Sequence, residues 1–279
     1  MPEYLQSIEQ VEESQIFKTG CNPLLVHCNN LEYYVCKYST SLGAANLLFR
    51  ELLAASFLQV WNLNVPSFAF VNLQKHHNPI SIPNIKNDIP CFGSLHNREY
   101  REIDAFIGEA TASQKSKFVN KIDLLKIALF DLWVSNEDRN HNNYNIMLSL
   151  ENDKYQFVPI DGNFIFHTGN QHKETFTLSV DETILSSPLL FSIFKLKELT
   201  DEQTIDTLKE NYYFCTQSCK LALEEIFNTV PDKWLINKSF EYENLHKFLF
   251  ADSWIDECWT TFLEYLQLSI NSKTNGNSI

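Results

Sequence analysis

Asp138, Asn143 and Asp161 have the types and spacing that could do chemistry. The stretch reads Asn136-Glu137-Asp138-Arg139-Asn140-His141-Asn142-Asn143-Tyr144-Asn145, and Val158-Pro159-Ile160-Asp161-Gly162 comes later. An acid, an amide five residues on, and a second acid at the end of a short hairpin are the parts that phosphoryl transfer from a nucleotide needs. One carboxylate positions the acceptor hydroxyl. An amide oxygen and the other carboxylate hold Mg²⁺ against the phosphates, because catalysis there is mostly positioning and charge neutralisation. Asp138 is therefore the expected base, and Asn143 and Asp161 are the expected metal ligands. Taken alone, the run 136–143 also reads as a solvated loop. The continuation tells against that reading. Segments 145–150 and 155–160 can pair across Glu151-Asn152-Asp153-Lys154, which returns Asp161 toward Asn143. Two carboxylates and an amide then meet in an oxygen-rich cluster suited to hard Mg²⁺.

A nucleotide also needs a cation. Lys37 lies in the strand-like stretch Tyr33-Tyr34-Val35-Cys36-Lys37-Tyr38, where a lone lysine is most often an outward-facing residue. Glu51 is the stranger case, because it shares a helix face with Leu47, Ala54, Ala55 and Leu58. A carboxylate buried there requires a cationic partner, and Lys37 is the candidate. The alternative is that Glu51 is only half-exposed. A lysine held by that glutamate can reach nucleotide phosphates. Gly20, in the turn Lys18-Thr19-Gly20-Cys21-Asn22, could present backbone N–H groups to phosphate. With 7 glycines and no GxGxxG, any phosphate loop is minimal. Ser94 and His96 are placed near the connection that would face the base. The His76-His77 doublet does not converge on one ion, and His141 reads as an exposed loop histidine.

Several elements must position these groups. Apolar segments at Ile16-Phe17, at 24–27 and at 33–38, separated by turn residues, predict an antiparallel meander. A helix is expected over 44–61, with Leu47, Ala54, Leu58 and Trp61 on one face, and then a strand at 68–71. Pro and Asn content from 75 to 90 predicts a long loop, followed by a strand-like Cys91-Phe92. The segment 118–134 is apolar nearly all round, as in a buried central helix. Further helices are expected at 201–228 and 252–268. The resulting order is α+β. A β-rich unit with one helix, 1–97, precedes a mostly helical unit, 98–279, with the nucleotide in the cleft between them.

Composition narrows the partners. A formal net charge of −13 disfavours direct contact with nucleic acid or anionic lipid, which is driven by Lys and Arg. No apolar run is long enough to span a membrane, and Met1-Pro2-Glu3-Tyr4 lacks the character of a signal peptide, so a cytoplasmic protein is expected. Seven cysteines, at 21, 28, 36, 91, 215, 219 and 258, include no CxxC pair and are expected as reduced thiols. Cys215 and Cys219 fall on the helical stripe Ile205, Leu208, Tyr212, Cys215, Cys219, Ile226, which argues for packing rather than metal binding.

The strings Tyr34-Val35-Cys36-Lys37, Arg50-Glu51-Leu52-Leu53-Ala54, Val65-Pro66-Ser67-Phe68-Ala69, Cys91-Phe92-Gly93-Ser94, Asp138-Arg139 through Asn143-Tyr144-Asn145, and Ile160-Asp161-Gly162 resemble the HipA-like kinases. They are most similar to the stand-alone bacterial HipA-like kinase domains. The same D-R-x-x-x-N and I-D-x-G logic occurs in phosphatidylinositol kinases. The resemblance covers about residues 15–170 and implies a bilobal protein-kinase-like fold, ATP with Mg²⁺, and transfer to a serine or threonine hydroxyl of a protein substrate. It gives Asp138 the role of base, Asn143 and Asp161 metal, Lys37 phosphate, and Glu51 the orientation of that lysine. The chain departs from the family pattern at Asn140, where relatives often have His. It also has Gly162-Asn163 where ordinary protein kinases have Phe-Gly. A non-catalytic nucleotide-binding module with an antitoxin-like partner is one alternative, and a small-molecule or lipid kinase is another.

Overall fold

The computed structural model describes residues 2–109, 111–166 and 176–276. Strands β1 (Glu3–Gln6), β2 (Leu24–His27), β3 (Tyr33–Lys37), β4 (Phe68–Asn72) and β5 (Cys91–Leu95) form one sheet in the order β1-β4-β5-β3-β2. All its pairings are antiparallel except β1 with β4. Just past β1, Ser7 bridges to Cys28, and Ile8 N–H donates to His27 O at 3.0 Å. The sheet therefore curls until its two edges meet. Period-two alternation sends Leu24, Val26, Cys28, Tyr34 and Cys36 into a small core enclosed by this curl, with Leu5, Ala69 and Val71.

One expectation is corrected here, and one strand is added to it. The segment at Ile16-Phe17 contributes only a single bridge, Ile16 to Leu24, so the meander begins at Leu24. The strand that completes the sheet, β1, lies in the polar Glu3-Tyr4-Leu5-Gln6, whose one buried residue is Leu5. One inward side chain gives no period to read.

Helix α1 (Asn46–Val60) lies against the other side of the sheet and is buried well beyond the one apolar face its spacing predicts. Leu48 through Ala54 are all buried, as are Phe57 and Leu58, whereas Leu47 is exposed. It is covered twice, by the sheet and by the helical half. Phe49 meets Phe227, and Phe57 meets Trp133 and Phe250. Trp61, next after the helix, sits among Phe130, Trp133 and Tyr212.

Helix α2 (Ile103–Glu109) packs on a three-stranded sheet of β6 (Arg101–Glu102), β7 (Ile146–Glu151) and β8 (Lys154–Pro159), and α3 (Ala112–Lys115) follows it in the chain. Helix α4 (Ile122–Val134) is buried at every position from Leu124 onward, as its all-round apolar pattern predicts. Helices α7 (Glu202–Thr229) and α9 (Asp252–Thr274) pack against it, α6 (Leu196–Leu199) and α8 (Lys238–Phe248) pack on α7, and α5 (Pro188–Ile193) precedes them in the chain. Indole donors tie them down: Trp133 Nε1 to Leu249 O at 3.0 Å, and Trp254 Nε1 to Trp133 O at 2.9 Å. Cys215 and Cys219 are buried on α7, as the stripe predicts. No described helix is long and apolar enough to cross a membrane.

Candidate functional site

Alternation along β3 decides where Lys37 goes. Cys36 points into the enclosed core, so Lys37 leaves on the face toward α1. Its ammonium contacts Glu51 Oε1 and, at 2.5 Å, Asp161 Oδ1. Glu51 Oε2 accepts the Gly162 N–H at 3.1 Å, so both of its oxygens are used. Burial works against the charge on Lys37, but the two carboxylates outweigh it and hold the pKa above its ordinary value. Burial raises the pKa of Glu51, against the pull of Lys37. Gly162 is required by space: a Cβ there would overlap the Ala54 Cβ of α1. A bulkier residue would push the Asp161 turn off the helix that aligns it.

The loop after α4 is built around a buried ion pair. The helix ends at Ser135, which is left-handed with φ 51°, and Asn136 N–H returns to Asp131 O at 2.8 Å. Asp131 Oδ1 accepts from Arg139 Nη1 and from Asn136 Nδ2, the latter at 2.8 Å. Asp131 and Arg139 are each 1% exposed. Burial pushes the Asp131 carboxyl up to about 6, while Arg139 pulls it down. The same guanidinium donates to Ile160 O at 2.7 Å and to Asn145 O at 3.4 Å. Ile160 N–H donates to Asn145 O at 2.9 Å. One arginine thereby joins the end of α4, the loop and the end of β8, so the hairpin returns Asp161 to the loop as predicted.

Asp138 precedes that arginine and faces the other way. Its Oδ2 accepts from Asn145 Nδ2 at 2.9 Å and from Asn143 Nδ2 at 3.2 Å. Burial raises its pKa, the two amides lower it, Asp161 raises it and Arg139 lowers it. The result is a half-buried carboxylate with a stronger hold on a proton than an ordinary aspartate, which suits a general base.

The structure thus brings Lys37, Glu51 and Asp161 into direct contact, joins Asp138 to Asn143, and sets Asp138 within the electrostatic reach of Asp161. Gly20 lies in an exposed turn closed by Asn22 N–H to Thr19 O at 3.0 Å. That turn reaches the site through its neighbour Cys21, whose Sγ accepts from Asn163 Nδ2 at 3.3 Å. Ser94 lines a cavity of about 30 Å³ with Glu51, Ala54, Phe92, Asp161 and Gly162. His141 is exposed, and His77 hydrogen-bonds Ser7 instead of facing the cluster.

The donor set suits Mg²⁺. Asn143 turns its Nδ2 to Asp138, and Asp161 gives only Oδ1 to Lys37, which leaves Asn143 Oδ1 and Asp161 Oδ2 without a hydrogen bond among the described residues. No three His, Cys, Asp or Glu side chains among the described residues could hold an ion by themselves. Both facts fit an ion bound through one carboxylate, one amide and the oxygens of a phosphate ligand, as Mg²⁺ commonly is.

A family model described as HipA-like kinase matches residues 9–252. The chain belongs to this family. Its function at that level is a kinase-like phosphotransferase. The HipA-like chain resembles the proinflammatory kinase CtkA of Helicobacter pylori, at 15% identity and a TM-score of 0.56, over 94% of this chain and 98% of that one. At that identity the likeness bears on the fold, and both have the α+β kinase-like architecture. HipA of Shewanella oneidensis, solved with HipB and its operator DNA, matches at 12% identity and a TM-score of 0.48, over 92% of this chain and 67% of that one. No curated protein sequence matches.

Sequence reasoning did not single out Asp131, Arg50 or Asn163, and it left Asn145 without a role. A signal was present for Asp131. An acid inside the apolar helix 118–134 requires a buried cation, and the sequence offers Lys126 and Arg139 nearby; the structure gives Lys126 to Asp123 and Arg139 to Asp131. For Asn145 the signal was weaker: an asparagine at the foot of the hairpin, where the structure shows φ 48°.

Proposed function

We propose that this HipA-like kinase transfers the γ-phosphoryl group of ATP, with Mg²⁺, to a serine or threonine hydroxyl of a protein substrate in the cytoplasm. The observation that carries this reading is the contact of Lys37 with both Glu51 and Asp161, opposite an Asp138 held by two amides. Lys37 would bind phosphate oxygens while Glu51 fixes its direction. Asn143 Oδ1 and Asp161 Oδ2 would hold Mg²⁺, which when bound neutralises phosphate charge. Asp138 would orient the acceptor hydroxyl and accept its proton. Gly20 would supply backbone N–H groups over the phosphates, and Ser94 would border the nucleotide's base. The division into units 1–97 and 98–279 is part of the same proposal, with the nucleotide between them.

Incubation with γ-labelled ATP, Mg²⁺ and a mixed protein acceptor tests it. Label should enter serine or threonine in the wild type and be lost in Asp138→Asn. No turnover, or equal turnover by both, removes the reading.

A second reading is favoured by the engagement of Asp161 Oδ1 with Lys37, which leaves only one oxygen of that carboxylate for a metal. On it the chain binds nucleotide without transfer and works through a partner protein, an antitoxin-like one included. It expects thermal stabilisation by ATP or ADP with no labelled product.

A further inference from the structure

Asp161 lies in a turn whose three residues are each fastened from α1. Asp161 is held through Lys37, which Glu51 orients; Gly162 donates its N–H to Glu51 Oε2; and Asn163 O accepts from Arg50 Nη1 at 3.3 Å. The third fastening is the unexpected one. Arg50 is 4% exposed, Asn163 2% and Glu241, on α8, 6%. Desolvating a guanidinium is costly, and a role in packing alone is met as well by an apolar side chain of similar volume. Burial lowers the pKa of Arg50 to about 10, and the carboxylate of Glu241 acts against that. A charge is thus retained inside the protein at the point where the metal-site turn, α1 and α8 come together.

The turn needs outside support. Asp161 has φ 58°, in the left-handed region, which is uncommon for a residue with a side chain although aspartate tolerates it better than most. Its neighbours leave little freedom, with Gly162 against Ala54 and Asn163 buried. We infer that Arg50 is a positioning residue for the phosphotransfer site: through the Asn163 carbonyl it fixes the backbone that aims Asp161 at the metal, and Glu241 of α8 supports it in that place. Arg50 touches neither nucleotide nor acceptor in this scheme. The inference rests on the kinase reading for its functional consequence, but not for its geometry.

The variant Arg50→Met/Glu241→Gln removes both buried charges together, so neither is left stranded. Arg50→Lys keeps the charge and loses the planar fork. Hydrogen exchange at the Gly162 and Asn163 amides reads the geometry without any activity, and the Mg²⁺ concentration for half-maximal transfer reads its consequence. Exchange in the double variant should quicken by about tenfold or more, the scale of one lost hydrogen bond to a charged group. Half-maximal Mg²⁺ should rise by a similar factor, kcat should fall, and KM for the acceptor should stay unchanged, with Arg50→Lys in between on each measure. Exchange within twofold of wild type in the double variant overturns the inference, whether or not the wild type transfers phosphate. Quickened exchange in a chain that transfers nothing upholds the strut while ending the kinase reading.

Discussion

Around Lys37 the acids are held by charge, whereas around Asp138 the acid is held by neutral amides. Lys37 meets two carboxylates, Glu51 and Asp161, and its ammonium is kept protonated by both. Asp138 meets Asn143 and Asn145, and the nearest arginine spends its charge on Asp131 instead. Under the proposed function, the contrast follows from what each group would have to do. A phosphate-binding cation has to remain charged out of water, which opposite charges secure. A base has to be oriented and still able to take a proton, and a directly paired arginine would suppress that ability. Arg139 is accordingly the weakest influence on Asp138, although it is the adjacent residue. It orders the loop from beneath without neutralising the acid above.

Substitutions can break this comparison, and the widest separation is expected from Asp138→Asn. Loss of a base should slow transfer about 10² to 10⁴ fold, while nucleotide-dependent thermal stabilisation persists. Labelled-ATP assays alongside melting curves show whether the two effects separate.

Arg139→Met tests whether the lower half depends on a buried ion pair. Stranding Asp131 should cost about 3–5 kcal/mol in urea unfolding, and Asp131→Asn/Arg139→Met should recover part of it. Equal stability of the two variants would show that the pair is not the foundation of the loop.

Glu51→Gln tests the upper half. It should weaken ATP binding on the order of tenfold, since one charged hydrogen-bond partner of Lys37 becomes neutral. Its effect on kcat should be smaller than that of Asp138→Asn. An unchanged KM for ATP would detach Lys37 from the nucleotide.

The smallest effect concerns pH. The Asp138 pKa lies above its ordinary value, chiefly by burial, so transfer should fall off on acidification at a higher pH than an exposed aspartate would give. Because the folded form holds this proton more tightly than the unfolded chain, the group's contribution to stability declines as pH rises between the two values. Asn145→Leu removes a donor that lowers the pKa and should move the kinetic inflection further up. A downward move would contradict the amide account.

Much of this site was legible as spacing. Asp138 with Asn143 followed from residue type and spacing, the return of Asp161 from the pairing of the hairpin, and Glu51 with Lys37 from the rule that a carboxylate in an apolar setting needs a partner. That same rule, applied to Asp131, calls for a buried cation, and only the structure chooses Arg139 over the nearer Lys126. The strand at Glu3–Gln6 could not be read this way, because its partner β4 lies more than sixty residues along the chain and only Leu5 turns inward. The breadth of burial on α1 was hidden for a related reason. Periodicity reports one apolar face, and nothing local says that a second layer, from Phe227, Trp133 and Phe250, will cover the opposite side.

By itself, the sequence determined which groups were available: one lysine on a strand, an acid on the following helix, an acid and amide in a polar loop, and an acid beyond a hairpin. Local alternation and turn chemistry were enough to establish those. Only the tertiary structure decided which oxygen each cation meets, and that Arg50 and Arg139 stand behind the two halves of the site. Those choices depend on desolvation and on contacts between segments more than a hundred residues apart, such as Lys37 with Asp161 and Arg50 with Asn163. Neither is encoded in any local pattern.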